Sequence, residues 1–322
     1  MKKGPSTKLA FVLAGGGARG ALQVGALRAL LEAGIRPDLL VGTSIGAINS
    51  AFLGLHGFTP EALDLLEAAW FTAAKAELLP PNPAWIAMRV VFNRIRFRPD
   101  HRLRDFVIEQ GLTADIHFGD LPGPPVILIS ADLNRAQPAF YGADPQQSVL
   151  DGVLASTALP PWVHPLEEGD RFLMDGGVIS NLPIEPAILH DATEVIALDL
   201  PTRGEMDLEA HGFGPFWTKL LTTIGERQIY LEMELARVKG IPVHLVELTT
   251  RPPVPIWDFS QTQILIDTGY QQMKSALEAG IISSSSPSPN WLERLRNWML
   301  FRRHEIRTEE RKNLKAGKRI RT

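Results

Sequence analysis

The sequence predicts an α/β fold in three layers, α/β/α, with helices on both faces of a mainly parallel central sheet. Short apolar runs alternate along the chain with longer segments that have apolar residues at helical spacing, which is the pattern of strand–helix–strand units. The 322 residues are 45% hydrophobic and 21% charged, a composition typical of a globular protein rather than a disordered one. Ligands of such sheets bind at the carboxyl ends of the strands, so we expect functional residues there.

Strands and helices are predicted in alternation along the whole body of the chain. Gly34 ends the first predicted helix and Pro160-Pro161 the third, because both residue types interrupt helical structure. The predicted elements are strand Leu9–Ala14, helix Ala21–Leu31, strand Leu39–Gly42, helix Ile45–Leu55, strand Val126–Ala131, helix 145–158, strand Phe172–Met174, strand Val195–Leu200, helix Phe216–Val238 and strand Pro242–Leu248.

The charge is divided between an acidic body and a basic C-terminus. The formal net charge is -3, but residues 291–322 contain eleven Lys or Arg against four Asp or Glu, a net +7, which leaves -10 for the preceding residues. A Ser/Pro stretch between the two parts has the composition of a linker. We therefore expect a domain over residues 1–282, a linker over 283–290 and a basic extension over 291–322.

The composition excludes several classes of site. There is no cysteine, which rules out disulfide bonds, thiolate nucleophiles and cysteine-containing zinc sites. No apolar run reaches the ~18 residues that a membrane-spanning helix needs. The apolar run near the N-terminus is too short for a signal peptide. No metal-ligand cluster or cofactor signature is evident, and we expect neither a metal ion nor a cofactor.

The first chemically informative segment is the glycine-rich run Gly15–Gly20, between a predicted strand and a predicted helix. It satisfies the G-x-G-x-x-G pattern of dinucleotide-binding proteins, but that pattern expects an acid at the end of the next strand, where this chain has Thr43 and Ser44. A glycine run at a helix N-terminus also aims several N–H groups at one point, which suits a phosphate or a transient oxyanion. The alternative is a tight turn without a ligand.

The second segment, Gly42–Gly46, reads Gly-Thr-Ser-Ile-Gly at a strand-to-helix junction. In a G-x-S-x-G pattern the serine lies on a sharp, strained turn, and the glycines avoid clashes where helix and strand approach. Ser44 is therefore a candidate nucleophile, and the N–H of Ile45 would point to the same place. The alternative is that Ser44 is an ordinary helix N-cap.

The third segment is Asp175-Gly176-Gly177, directly after a predicted strand. A serine hydroxyl is a weak nucleophile near neutral pH and needs a base within hydrogen-bond reach. An aspartate at a strand end, followed by two small residues, is a candidate for that base if its pKa is raised from about 3.9. By itself the motif also fits a common Asp-Gly turn.

Together, and in this order, the three segments resemble the patatin-like phospholipase family, which has a G-G-G-x-R/K-G motif, a G-x-S-x-G elbow and a D-G-G/A motif. The spacing from Gly15 to Ser44 is also similar to that family, as are Ala-Ser-Thr-Ala-Leu-Pro at 155–160 and Gly-Val-Ile-Ser-Asn-Leu-Pro at 177–183. The resemblance extends over about residues 8–280, since Asp258–Tyr270 is similar to the end of many bacterial members. It does not include the basic extension.

The resemblance implies a serine acyl hydrolase for lipid esters, with a Ser–Asp dyad, no catalytic histidine and no cofactor. Ser44 would be the nucleophile that forms an acyl-enzyme ester, and Asp175 would be the general base. Arg19 stands at the family's basic position and would orient the glycine loop. The N–H groups that would hold the oxyanion are those of Gly15, Gly16, Gly17 and Ile45. The other glycines of the motifs are Gly20, Gly42, Gly46, Gly176 and Gly177.

Two other functions stay open at this point. In a Ser-His-Asp hydrolase a histidine would supply the base, and none of the histidines after Asp175 lies in a glycine-flanked loop. These histidines are His190, His211, His244 and His304. In a non-catalytic module the glycine loop would bind a nucleotide, or the fold would bind lipid without turnover. The presence of all the expected catalytic positions disfavours such a module.

Two stretches combine large apolar residues with arginines. In residues 291–302, apolar residues such as Trp291 and Trp298 recur at helical spacing, which predicts either an amphipathic helix at an anionic membrane surface or a helix packed on the body. We accordingly expect a cytoplasmic protein, free or peripheral at the inner membrane face, with no nucleic-acid partner. The stretch Trp85–Phe97, in an arginine-rich region that ends at Arg104, predicts either a lid over the site or a buried helix.

Overall fold

The computed structural model describes residues 7–76, 78, 102–159, 163, 165–201 and 213–282, with the backbone alone for 213–221. Trp85–Phe97, the linker 283–290 and the extension 291–322 lie outside the described residues, so the lid, linker and membrane-helix hypotheses stay predictions. The described strands form one eight-stranded sheet. They are β1 (Leu9–Leu13), β2 (Leu39–Thr43), β3 (Val126–Asp132), β4 (Gln137–Tyr141), β5 (Leu166–Glu168), β6 (Arg171–Asp175), β7 (Glu194–Asp199) and β8 (Val243–Glu247).

The sheet is mainly parallel, as predicted. Its strand order is β5-β6-β3-β2-β1-β7-β8, and β4 pairs with β3 beside this path. Five neighbouring strands run parallel to one another, namely β3, β2, β1, β7 and β8. β4 and β6 are antiparallel to β3, and β5 is antiparallel to β6. The parallel strands begin and end within one residue of their predicted bounds, because each is a mainly apolar segment between turn residues.

Helices cover both faces of this sheet. Every residue of β2 and β3 is buried, and successive strand side chains point to opposite faces, so neither face is open to solvent. The predicted α/β/α arrangement is therefore confirmed. The described helices are α1 (Ala21–Glu32), α2 (Ile45–His56), α3 (Pro60–Lys75), α4 (Arg102–Glu109), α5 (Val149–Ser156), α6 (Ile184–Leu189), α7 (Phe213–Lys239) and α8 (Thr262–Glu278).

The helix predicted over 145–158 is shorter than expected. α5 begins at Val149 because the Ser148 side chain accepts a hydrogen bond from the Asp151 N–H and caps the helix there. Several other elements were not predicted, among them α8, which packs closely on α1. A Cβ on Gly25 of α1 would lie 1.9 Å from the carbonyl oxygen of Ile266 in α8. Glycine at this crossing lets the two helix backbones meet.

The ends of β2 and β6 lie together because both strands pair with the same edge of β3. β4 occupies one edge of β3 along Leu128–Asp132, so β2 and β6 share the other edge. β2 pairs with this edge as far as Thr43 opposite Ile129, and β6 pairs with the residues that follow, with Asp175 opposite Ser130. The two strands therefore end next to each other. β2 ends at Thr43, one residue before Ser44, and β6 ends at Asp175.

Candidate active site

Ser44 lies on a strained turn between β2 and α2. Its φ of 55° and ψ of -120° place it in a region that residues other than glycine rarely adopt, at a cost of about 1–3 kcal/mol. The helix doubles back directly over the strand at this turn. A Cβ on Gly42 would lie 2.3 Å from the carbonyl oxygen of Gly46, and a Cβ on Gly46 would lie 2.2 Å from that of Leu13. Both glycines of the motif are therefore required by close backbone contacts.

The backbone of the turn is held by Ser156 at the end of α5. The Ser44 N–H donates to the Ser156 hydroxyl oxygen at 2.9 Å, and that hydroxyl donates to the carbonyl oxygen of Ile129 at 2.5 Å. The Ser44 side chain makes no capping hydrogen bond to α2. Ser44 is therefore not an ordinary N-cap, and its hydroxyl is free to contact another group.

That group is the carboxylate of Asp175. The Ser44 hydroxyl donates to Asp175 Oδ2 at 2.6 Å, while Oδ1 accepts from the Gly177 N–H at 2.8 Å. Asp175 is 4% exposed. Gly176 has to be small, since a Cβ there would lie 2.3 Å from the carbonyl oxygen of Ile129. The structure thus brings together the serine and the aspartate that the motifs single out.

The environment of Asp175 makes its carboxylate more basic than that of an exposed aspartate. Burial raises the pKa of Asp175 to about 6, although the hydrogen bonds from Ser44 and Gly177 act in the opposite direction. At neutral pH the group is mostly ionised and is still a far better proton acceptor than a solvated carboxylate. This combination of protonation state and basicity is suited to a general base.

The glycine loop at the end of β1 lies directly against the serine. A Cβ on Gly15 would be 3.1 Å from Ser44 Cβ. The Gly15 N–H donates to the carbonyl oxygen of Asn181 at 3.0 Å, and the Asn181 side-chain amide donates back to the Gly15 carbonyl at 3.4 Å. The family resemblance implies that the Gly15 N–H is one of the oxyanion donors, but this N–H is already engaged by the Asn181 carbonyl.

Three N–H groups of the glycine loop and the serine turn have no acceptor among the described residues, those of Gly16, Gly17 and Ile45. Two of them point in directions set by side chains behind the loop. Arg19 Nε donates to the Gly16 carbonyl at 3.3 Å and Arg19 Nη1 to the Pro201 carbonyl at 3.1 Å. The C=O and N–H of a trans peptide point in opposite directions. Arg19 thus orients the Gly17 N–H, and the bond from Asn181 to Gly15 orients the Gly16 N–H.

Arg19 is itself almost fully buried. Burial lowers the pKa of its guanidinium, and the nearby carboxylate of Asp199 opposes that effect. An arginine keeps its charge under such conditions because its intrinsic pKa lies far above neutral pH. Its two hydrogen bonds join the glycine loop to Pro201, which follows β7.

The histidines considered in the sequence analysis lie elsewhere or outside the described residues. The ring of His190 contacts the Pro186 carbonyl at 2.8 Å. His244 bridges the Glu194 carboxylate at 2.7 Å and the Ile281 carbonyl at 2.8 Å. Neither contacts Ser44 or Asp175, and His211 and His304 belong to the part of the chain that is not described.

An apolar cavity begins one residue beyond the serine. It is enclosed by α2, α3 and α4, and residues Ile45, Ile48 and Phe52 follow one face of α2 along it. A single polar residue, Gln110, occurs among its lining residues. The others are Leu66, Ala69, Trp70, Ala73, Leu78, Phe106, Val107, Leu112 and Phe259. Such a lining suits hydrocarbon, but the cavity volume of about 30 Å³ is far below that of a lipid-binding pocket, so an acyl chain would enter only if the lining side chains moved.

The described residues offer no site for a metal ion, since nowhere do three or more His, Asp or Glu side chains gather closely enough. The strand after the glycine loop, β2, ends at Thr43 and so lacks the acid that a dinucleotide ribose requires. None of the described helices is long and apolar enough to cross a membrane.

Two residues that hold this site, Ser156 and Asn181, have no predicted role in the sequence motifs. Both lie in stretches that resemble the patatin-like family, 155–160 and 177–183, so a signal was present without a role attached to it. Their partners are Ser44 and Gly15, more than 100 residues away in the chain. Contacts over such separations are decided by the tertiary structure.

Comparisons with known proteins agree with these motifs. Residues 11–188 match the family model described as patatin-like phospholipase. Over 294 residues the chain is 28% identical to patatin-like phospholipase domain-containing protein 6 of Homo sapiens, which covers 83% of this chain and 20% of that protein. An NTE family protein of Mycobacterium tuberculosis is 29% identical over 284 residues, which covers 84% of this chain and 45% of that protein.

The chain therefore spans between about a fifth and a half of the length of these curated relatives. Among solved structures, VipD from Legionella pneumophila matches with a TM-score of 0.45 and 15% identity, over 85% of this chain and 67% of that one.

Proposed function

Because this chain belongs to the patatin-like phospholipase family, we propose that it is a serine acyl-ester hydrolase that acts on lipids through a Ser44–Asp175 dyad. The main observation in favour is the 2.6 Å hydrogen bond from the Ser44 hydroxyl to the buried carboxylate of Asp175. The raised pKa of Asp175 and the N–H groups of the neighbouring loop and turn, which have no acceptor among the described residues, also support the proposal, since acyl transfer needs a base and oxyanion donors beside the nucleophile.

In the proposed acylation step, Ser44 Oγ attacks the ester carbonyl carbon while its proton passes to Asp175 Oδ2. The oxyanion accepts hydrogen bonds from the N–H groups of Gly16, Gly17 and Ile45. Donors preorganised in this way contribute about 10²–10³ in rate for each one. The tetrahedral intermediate collapses as the proton on Asp175 transfers to the leaving alcohol, and the acyl group stays on Ser44 as an ester.

In the second step, Asp175 accepts a proton from a water molecule, which attacks the acyl-Ser44 ester. The same donors hold the second oxyanion, and the fatty acid leaves as Ser44 recovers its proton. The apolar cavity that starts at Ile45 is the proposed place for the acyl chain, since it begins next to the residue that bears the acyl group.

The test combines covalent labelling with turnover. Wild type should react with a fluorophosphonate probe and hydrolyse p-nitrophenyl and phospholipid esters, whereas Ser44→Ala should do neither. Labelling that persists in Ser44→Ala would refute the assignment of the nucleophile. A normal rate in Asp175→Asn, together with a loss in one of the four histidine-to-alanine variants, would replace the dyad with a Ser-His-Asp triad. If the probe does not label wild type and the protein binds nucleotide or lipid, the chain is a non-catalytic module.

We also propose that the basic extension, residues 291–322, contacts an anionic membrane surface from the cytoplasmic side. Its net charge of +7 supports this, since each basic residue near such a surface contributes about 1 kcal/mol. The full chain should sediment with vesicles that contain anionic lipid, and a chain truncated at residue 290 should bind them less. Equal sedimentation of the two would contradict the proposal.

A further inference from the structure

A second buried carboxylate lies behind the dyad, on the long helix α7. Glu232 is 6% exposed, and each of its oxygens accepts a hydrogen bond. The Ser180 hydroxyl donates to Oε1 at 2.6 Å, and the Glu185 N–H donates to Oε2 at 2.9 Å. These partners are neutral donors rather than cations. A buried carboxylate held in this way is costly to desolvate, and nothing in the proposed reaction steps uses it directly.

The carboxylate contacts the segment that joins Asp175 to α6, residues 176–183, which we call the dyad segment. Gln228, one turn earlier on the same face of α7, donates from its side chain to the Val178 carbonyl at 2.8 Å. The helix therefore holds the dyad segment at two points, Val178 and Ser180. The bond from Ser180 to the carboxylate is the shorter one.

On its opposite side the dyad segment contacts both catalytic loops. The Thr43 hydroxyl, next to the nucleophile, donates to the Ser180 carbonyl at 2.8 Å. Asn181, the following residue, binds both the N–H and the carbonyl of Gly15. Ser180 thus links Glu232 on one side to the strand end before Ser44 on the other.

We infer that Glu232 is a positioning residue: through Ser180 it fixes the dyad segment, so that Asn181 holds the glycine loop against Ser44. This inference rests on the proposed function, since it concerns the geometry of the same site. A hydroxyl bonded to a carboxylate makes a short, strong contact, and its loss would leave Ser180 and Asn181 to move relative to the serine. Displacements of about 1 Å in a catalytic site can cost about 10²-fold in rate.

The experiment compares Glu232→Gln and Ser180→Ala with the control Glu234→Gln. The control makes the same chemical change on the same helix. Glu234 does not contact the dyad segment, and it forms a 2.8 Å ion pair with Arg237. Turnover of a p-nitrophenyl ester is measured at pH 8 with the full chain, and thermal unfolding is measured alongside it. The Ser180→Ala variant removes a single hydroxyl and covers the case in which Glu232→Gln fails to fold.

We expect Glu232→Gln and Ser180→Ala to lower kcat by about 10- to 100-fold, with KM changed less than about twofold and the control unchanged. Partial unfolding would also lower the apparent kcat without changing KM, so turnover is compared at a temperature where the unfolding curves show wild type and every variant to be folded. Wild-type kcat in both variants, or a lower melting temperature with unchanged kcat, would overturn the inference while the proposed function stands. If wild type lacks Ser44-dependent turnover, the proposed function fails, and this inference fails with it.

Discussion

Replacement of Asp175 by asparagine should abolish most activity and at the same time stabilise the folded protein near neutral pH. The variant loses the base, and we expect kcat for an ester substrate to fall by about 10²–10⁴-fold, the usual contribution of a positioned general base. It keeps an oxygen that can accept the Gly177 N–H, now bonded to Oδ1 at 2.8 Å. The local backbone should therefore be preserved.

The stabilisation follows from the raised pKa of Asp175. Burial raises this pKa to about 6 from an ordinary value of 3.8. Between these values the folded protein keeps a proton that the unfolded chain has released, so the unfolding free energy of wild type falls as the pH rises through this window. A difference of about two pKa units corresponds to about 3 kcal/mol. Above pH 6 this loss of unfolding free energy is constant. Asp175→Asn does not have it, because asparagine does not ionise.

The assay is urea unfolding of both proteins at several pH values between 4 and 8. The quantity compared is the unfolding free energy of Asp175→Asn minus that of wild type, in which the contributions of all other titrating groups cancel. This difference should increase by up to about 3 kcal/mol from pH 4 to pH 7. Asp170→Asn is the matched control, because Arg135 lowers the pKa of that exposed aspartate and no such rise is expected. A difference for Asp175→Asn that is flat or falls with pH would refute the reasoning.

Two other substitutions test the packing and the cavity. Gly25→Ala places a Cβ 1.9 Å from a carbonyl oxygen of α8 and should lower the unfolding free energy by more than about 2 kcal/mol. Gly225→Ala, with no described atom near its Cβ, should raise it by about 0.5–1 kcal/mol, and equal melting temperatures would contradict this contrast. Ile48→Phe fills part of the apolar cavity and should shift kcat/KM toward shorter esters in a series from acetyl to dodecanoyl. An unchanged profile would show that the acyl chain binds elsewhere.

The sequence alone predicted the central sheet well and its margins poorly. The five parallel strands consist mainly of apolar residues because the centre of the sheet is covered on both faces, and such runs are recognisable without further context. β4 and β5 were missed because they lie at the margin of the sheet. In β4, buried residues alternate with more exposed ones, and β5 is exposed along most of its length. α3 was also missed, although Thr59 and Pro60 form an N-terminal signal for it.

For the candidate site, the local motifs determined which residues to examine. Gly42 and Gly46 are required by backbone contacts within a few residues of the turn, so the pattern around Ser44 is visible in a short stretch of sequence. The same holds for Gly176 after Asp175. Steric requirements of this kind act over a few residues, and the sequence displays them directly.

The tertiary structure alone decided which groups meet and which are already occupied. Ser44 and Asp175 touch because β2 and β6 share one edge of β3, a pairing between segments about 130 residues apart. The Gly15 N–H is taken by the Asn181 carbonyl, whereas those of Gly16 and Gly17 have no acceptor in the part of the chain that the structure describes. Hydrogen-bond partners and burial depend on packing between distant segments, and these also set the pKa of Asp175. Motifs therefore singled out Ser44 and Asp175 as the proposed nucleophile and base, and the packing determined the distance between them and the hydrogen bonds around them.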